Sequence, residues 1–203
     1  MTADSLPTVD GRRARRDQNR DRVVDALLDL YREGDLEPSV NAVAERSGVS
    51  HRSVFRYFDD LDELYRVAIE RQYQTLRVHL LISEIGRGTL LERIDRIVAN
   101  RLDLYEVAAP VARVGHMKAP LEPILLDHLR DNAQESIIQV RRHFADELAA
   151  MTAERSAVAA EAITLVLSME SMETMLFIRG LSRDQAAACM RMTLTGILGA
   201  ADG

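Results

Sequence analysis

The chain of 203 residues is poor in the residues that most often advertise chemistry or β-structure. It has one cysteine, Cys189, so an intramolecular disulfide and a thiolate metal cluster are both excluded. Aromatics make up only 4%. No stretch alternates apolar and polar residues for long, and no Asn-Gly or Asp-Gly turn separates apolar runs, which argues against a sheet. No apolar run reaches the roughly 18–20 residues of a membrane span. The first residues, MTADSLPTVDGRRARRDQ, have no apolar core of a secretory leader. A cytoplasmic location is therefore expected. Five prolines and ten glycines serve as punctuation. Lysine occurs once, at Lys118, so the basic charge is arginine.

What is present is helical periodicity. Apolar residues recur at three and four, divided by cap and glycine signals, and predict an all-α chain of about nine helices. The first is expected from about Asn19 to Glu33, along a stripe of Val23, Leu27, Leu30 and Tyr31. Gly34 ends it. Two short helices follow, Val40–Arg46 after Ser39 and His51–Phe58 after Ser50, with Gly48 at the turn between them. A fourth starts near Asp60, where Asp60 and Glu63 have capping-box spacing, and reaches about Ile82. Thr89 with Glu92 opens the next, which runs through Tyr105. Pro110, Gly115, Pro120 and Pro123 are expected to bound a short irregular or helical piece. One long helix should span Pro123 to Ala150 and another Thr152 to Arg179. Ser182 with Gln185 caps the last, which ends near Leu198.

Formal net charge is −6, yet Arg12, Arg13, Arg15, Arg16, Arg20 and Arg22 face only Asp17 and Asp21 between Gly11 and Arg22. A basic arm on an acidic chain is an electrostatic footprint suited to nucleic acid, and distribution outweighs the total. The segment Ser39–Leu64, SVNAVAERSGVSHRSVFRYFDDLDEL, gives that arm a context. Its two short helices cannot bury themselves, so Val40, Val43, Ala44, Val49, Val54 and Phe58 must close on the helix before them. The second short helix then leaves His51, Arg52, Ser53, Arg56 and Tyr57 as a free, donor-rich face. A helix fits the DNA major groove, and arginine matches guanine bidentately.

The wording of this segment resembles the DNA-binding domain of the TetR family of transcriptional regulators. The resemblance lies in Ala42-Val43-Ala44-Glu45-Arg46-Ser47-Gly48-Val49-Ser50, Ser53-Val54-Phe55-Arg56-Tyr57-Phe58 and Asp62-Glu63-Leu64. It implies that Ser39 and Ser50 cap helices and touch phosphate, and that His51, Arg52 and Ser53 face base edges. Phe55 and Tyr57 stand where the family often has tyrosine and histidine reaching the DNA backbone, and Phe55 lacks the hydroxyl for that bond. Leu61 replaces the usual phosphate-contacting lysine, a loss of about one counterion in the salt dependence. The arginine arm is expected to compensate, by crossing the backbone or entering the minor groove.

The same resemblance divides the chain into a basic, disordered arm (1–18), a helix-turn-helix domain (19–66) and an effector-binding and dimerisation domain (67–203). It implies a homodimer on a palindromic operator, closed by EAITLVLSMESMETMLFIR and the small-residue helix AAACMRMTLTGIL. Candidate ligand-lining residues are Arg101, Tyr105, Arg113, His116, Met117, His128, Phe144, Met169, Met172 and Phe177. No metal spacing links His116, His128 and His143, and no cofactor motif occurs. Glu170 and Glu173 are expected on the dimer helix, exposed or paired with Arg179 or Arg183. The favoured reading is a repressor released by a small-molecule effector. A cavity lined by Tyr105, Phe144 and Phe177 would support it, whereas a filled core would support a regulator without a small ligand. A helical enzyme is the remote alternative, because no nucleophile–base pair or phosphate loop is evident.

Overall fold

The structure, a computed structural model, describes residues 9–199. It is all-α, with ten α-helices, one π-helical segment and no strand among the described residues. Two compact units are distinguishable, one up to Gln72 and the other from Tyr73 onward.

In the first unit, α1 (Val9–Arg32) carries the stripe that organises its neighbours. Val23, Val24, Leu27 and Tyr31 are all completely buried. Gly34, at φ +94°, ends the helix: its N–H reaches the carbonyl of Tyr31, and the N–H of Asp35 that of Leu30. The helix starts at Val9 rather than Asn19. Arginine, alanine and glutamine are good helix formers, so a turn nucleated on the buried stripe propagates through Arg13–Gln18 with only Gly11 opposing. Of the arm expected over 1–18, residues 1–8 lie outside the described residues and 9–18 are helix.

Helix α2 (Val40–Ser47) is capped by Ser39, whose side chain accepts from the N–H of Ala42. Helix α3 (His51–Tyr57) is capped by Ser50, which accepts from Ser53. Between them Gly48 adopts φ +66°, and the bonds Gly48 N–H to Glu45 and Val49 N–H to Ala44 complete a left-handed helix stop. Helix α4 (Leu61–Leu80) begins with Asp60 accepting from the N–H of Glu63 at 2.7 Å. Glu63 reaches back to Asp59 rather than Asp60, so the box is offset by one residue.

In the second unit, α5 (Leu90–Lys118) starts on the complete Thr89/Glu92 capping box and runs straight through Pro110 and Gly115. Of the irregular or helical piece expected from Pro110 to Pro123, the part up to Lys118 is helix continuous with α5, because Ala108, Ala109, Val111 and Val114 are buried on either side of the proline. Their burial offsets the roughly 3 kcal/mol that an interior proline costs. The helix expected from Pro123 to Ala150 breaks at Phe144 into α6 (Pro123–His143) and α7 (Ala145–Ala149). The guanidinium of Arg93 donates to the freed carbonyl of His143 at 2.9 Å.

The helix expected from Thr152 to Arg179 also divides, into α8 (Ala153–Val166), α9 (Met169–Met172) and a π-helical segment, Glu173–Ile178. Ser168 caps α9, and the hydroxyl of Ser171 donates to the carbonyl of Leu165. A last helix, α10 (Arg183–Gly199), follows the reciprocal Ser182/Gln185 box. The core of this unit is Ile94, Ile97 and Val98 of α5, Val140, Phe144, Ile163, Met172, and Met190 and Leu194 of α10.

Gly48 is the position where the backbone leaves no alternative. A Cβ there would sit 2.8 Å from the mobile guanidinium of Arg22, which can move aside; the left-handed φ cannot. Gly48→Ala should therefore lower unfolding stability by about 1–2 kcal/mol in urea titration, the cost of αL for an L-residue. An unchanged midpoint would show that the turn can flip out of that conformation.

Candidate nucleic-acid interface

The outer face of α3 is set by what its inner face buries. Val54 and Phe58 are almost wholly buried, which turns His51, Arg52, Phe55 and Arg56 to the outside. The rings of His51 and Phe55 meet edge-on at 5.2 Å, so a basic and an apolar group share the first turn. Ser39 and Ser50 are exposed at their caps, while Ser53 is half-buried and receives the hydroxyl hydrogen of Ser50 at 3.0 Å. Arg46 is not available as a donor: it grips Glu33, just past the end of α1, through two bonds of 2.8 and 2.6 Å.

Tyr57 departs from the free face expected for it. Its ring is buried, and its hydroxyl oxygen accepts from Asn19 Nδ2 at 3.3 Å and Arg56 Nη2 at 3.1 Å. Those bonds, Asn19 first, hold its pKa below the usual phenol value. Arg20 lies 4.8 Å over the ring of Phe58, and Leu61 is half-buried at the start of α4.

In the second unit, four of the expected ligand-lining residues come together. Tyr105 donates to Glu173 at 2.5 Å, and Arg113 bonds the other oxygen of Glu173 at 2.7 Å. Arg113 also lies 4.4 Å over the ring of Phe177, which is 66% exposed. One turn along α5, His116 meets Glu170 at 2.8 Å through Nε2 and the carbonyl of Ala112 at 2.8 Å through Nδ1. Two acceptors favour the doubly protonated ring, so Glu170 raises the pKa of His116 and is itself held down to about 2. Tyr73, whose buried hydroxyl has no hydrogen-bond partner, is pushed up to about 12 by burial and then by Glu170.

Glu170 and Glu173 thus pair with α5 and not with Arg179 or Arg183; Arg183 binds Asp103 and Glu106 instead. Sequence reasoning missed their role because both partners lie some sixty residues away. The only local trace was a pair of carboxylates three apart in an apolar run.

The remaining candidates do not join the cluster. Phe144 is completely buried against His143 and under Arg93, and Met172 is completely buried in the core. Both fill the core instead of lining a site as expected. Met117 is exposed, and His128 stacks 5.8 Å from Tyr73. Met169 packs against Leu76, Leu104 and Ala108. Arg101 is buried between Asn100 and Gln139, and burial lowers its pKa to about 10. An open groove of about 370 Å³ lies between the α9–π stretch and α10, lined by Glu170 of the cluster and by Val166, Met175, Cys189 and Met190 among others. No group of three or more metal-binding side chains occurs among the described residues.

No protein-family model matches the chain, and no curated protein does. Solved structures do. A transcriptional regulator of Rhodococcus sp. Rha1 superposes with a TM-score of 0.68 at 20% identity, over 91% of this chain and 98% of that one. A candidate transcriptional regulator of Streptomyces coelicolor A3(2) gives 0.61 at 18% identity, over 90% and 99%. At such identities the likeness is one of fold: an all-α chain with an N-terminal helix-turn-helix and a C-terminal helical domain. No helix of the described residues is long and apolar enough to cross a membrane.

Two histidines of the second unit give stability opposite pH dependences. His143 is completely buried; its Nδ1 accepts from the N–H of Gly86 and its Nε2 donates to the carbonyl of Arg93. Burial lowers its pKa below 6.5. The unfolded chain therefore takes up that proton first, and stability from His143 is full above 6.5 and falls as pH drops through its lowered value. For His116 the pKa is raised, so its contribution is present below 6.5 and lost as pH rises past the raised value. Urea midpoints between about pH 7.5 and about pH 5.5 should fall less steeply in His143→Ala than in the parent. They should fall more steeply in His116→Ala, and the same slope in all three proteins would refute both assignments.

Proposed function

We propose that the chain is a DNA-binding transcriptional regulator of the TetR type, acting as a homodimer on a palindromic operator. The observation that carries this is the doubly capped α2–turn–α3 unit, whose exposed side offers His51, Arg52 and Arg56 while α1 holds its inner side. Arg52 and Arg56 are the base-edge or phosphate donors, and Ser39, Ser50, Ser53 and Tyr57 position the backbone. Phe55 offers apolar contact, as to a thymine methyl, in place of a phosphate bond.

The dimer reading rests on an apolar face that the chain itself leaves uncovered. Val158 and Leu165 of α8, Ile178 of the π segment and Met192 of α10 are each more than three-fifths exposed. The small residues Ala188, Cys189 and Gly196 are exposed on α10 three and four positions from Met192 and permit close helix approach. Two copies of α8 and α10 would bury this face in a four-helix bundle.

Repression with release by a small effector is the preferred mode of control. Tyr105, Arg113, His116 and Phe177 are the residues that would meet the effector, since they join α5 to the irregular α9–π stretch. The filled packing of Phe144 and Met172 favours a second reading: a regulator of the same type with no small ligand, controlled by a protein or acting as an activator.

Selection of random duplex DNA by the purified protein should return a palindrome of two half-sites. Leu165→Glu with Met192→Glu should yield a monomer by sedimentation and weaken operator binding more than roughly tenfold, by loss of the second half-site. A monomeric parent that still selects a palindrome would refute the bundle, and a protein that selects no sequence would refute the regulator.

A further inference from the structure

Helix α1 extends well beyond what its own unit needs. Among the residues whose burial is described, Val23 is its first buried one, and residues 9–18, of which 13–18 are exposed, add about 15 Å of helix at 1.5 Å per residue. At 3.6 residues per turn, Arg13, Arg16 and Arg20 share one face, while Arg15 points away from it. Arg13, Arg15 and Arg16 are exposed and make no hydrogen bond or ion pair among the described residues.

This face is joined to α3 at one point. Asn19 donates to the hydroxyl of Tyr57, which also accepts from Arg56, and Arg20 covers Phe58. The proton of Tyr57 has no acceptor among the described residues, so the joint itself presents a donor. The arginines of α1, with Asp17 among them and Arg20 4.0 Å from Glu63, and the exposed end of α3 lie along one edge that is basic on balance, on a chain of net charge −6.

We infer that residues 9–20 of α1 are a rigid phosphate rail that lies along the DNA backbone beside the groove read by α3. This rests on the DNA-binding reading above. A helix is about 10–12 Å wide and the minor groove about 6 Å, so this segment cannot enter the minor groove as an extended arm does. Its contacts are to phosphate alone: they add affinity without sequence preference, and they require the helix to be intact.

Charge and rigidity are tested separately, on the full chain and on the operator it selects. Arg13→Gln with Arg16→Gln should weaken operator binding roughly tenfold or more at moderate salt, leave the selected sequence unchanged, and lower the salt slope by about 0.9 per arginine removed. Arg15→Gln should do markedly less. Gln18→Pro keeps every arginine but interrupts the helix ahead of the joint, and should weaken binding to a similar degree, while Gln18→Ala does not. Unchanged urea midpoints establish that the core is intact in each variant. If the arginine variants weaken binding and Gln18→Pro does not, the segment acts as a flexible arm and the rail is refuted. If none of them changes affinity for an operator that the parent binds, the extension does not touch DNA. A parent that selects no DNA, yet sediments with phosphatidylglycerol vesicles through Arg13 and Arg16, would overturn both readings in favour of a membrane surface.

Discussion

Helices of eight and seven residues do not persist alone in water, because too few hydrogen bonds follow the costly first turn. That constraint governs the N-terminal unit. Helices α2 and α3 exist because Val43, Val54 and Phe58 can close on Val23, Leu27 and Tyr31 of α1, and because serine caps satisfy the exposed N–H groups at both their starts. The exposed face of α3 is a consequence. Once the apolar residues are committed inward, the spacing of a helix leaves His51, Arg52 and Arg56 no other direction. The same geometry takes Tyr57 out of that face, since position 57 follows Val54 by three and falls on its buried side.

Features fixed within four residues were legible in the sequence. The caps at Ser39, Ser50, Thr89, Thr152 and Ser182, and the glycine stops at Gly34 and Gly48, need only local hydrogen bonds and a permitted φ. Features decided by distant partners were not. Whether Pro110 would end α5 depended on apolar burial on both sides of it. Whether α6 would run past His143 depended on Arg93, fifty residues earlier, whose guanidinium takes up the carbonyl that the break frees. Ser168 was the exception, a local cap signal hidden in an apolar run whose length argued for one helix.

The candidate site divides along the same line. The residues proposed to face DNA follow from spacing and caps, except that Tyr57 is buried and Ser53 half-buried. The candidates in the second unit were chosen by size and polarity, which cannot separate a residue that fills the core from one that borders a site. Phe144 and Met172 are filling; Tyr105, Arg113, His116 and Phe177 surround two carboxylates that composition gave no reason to join to them.

The α9–π stretch shows why ionic contacts matter most where backbone regularity is least. Between Leu167 and Ile178 the chain leaves one helix, recaps on Ser168 and widens into a π turn, so few of its backbone bonds have α-helical register. Such a stretch contributes little stability of its own. Its position is set by side chains: Glu170 on His116 and Glu173 on Arg113 and Tyr105, with Met172, between them in sequence, completely buried in the core. The methionine resists displacement because it is packed on all sides, whereas the flanking pairs are partly solvated and respond to salt and pH. The place of this stretch in the fold is therefore held by one buried methionine and by carboxylates whose α5 partners lie more than fifty residues away.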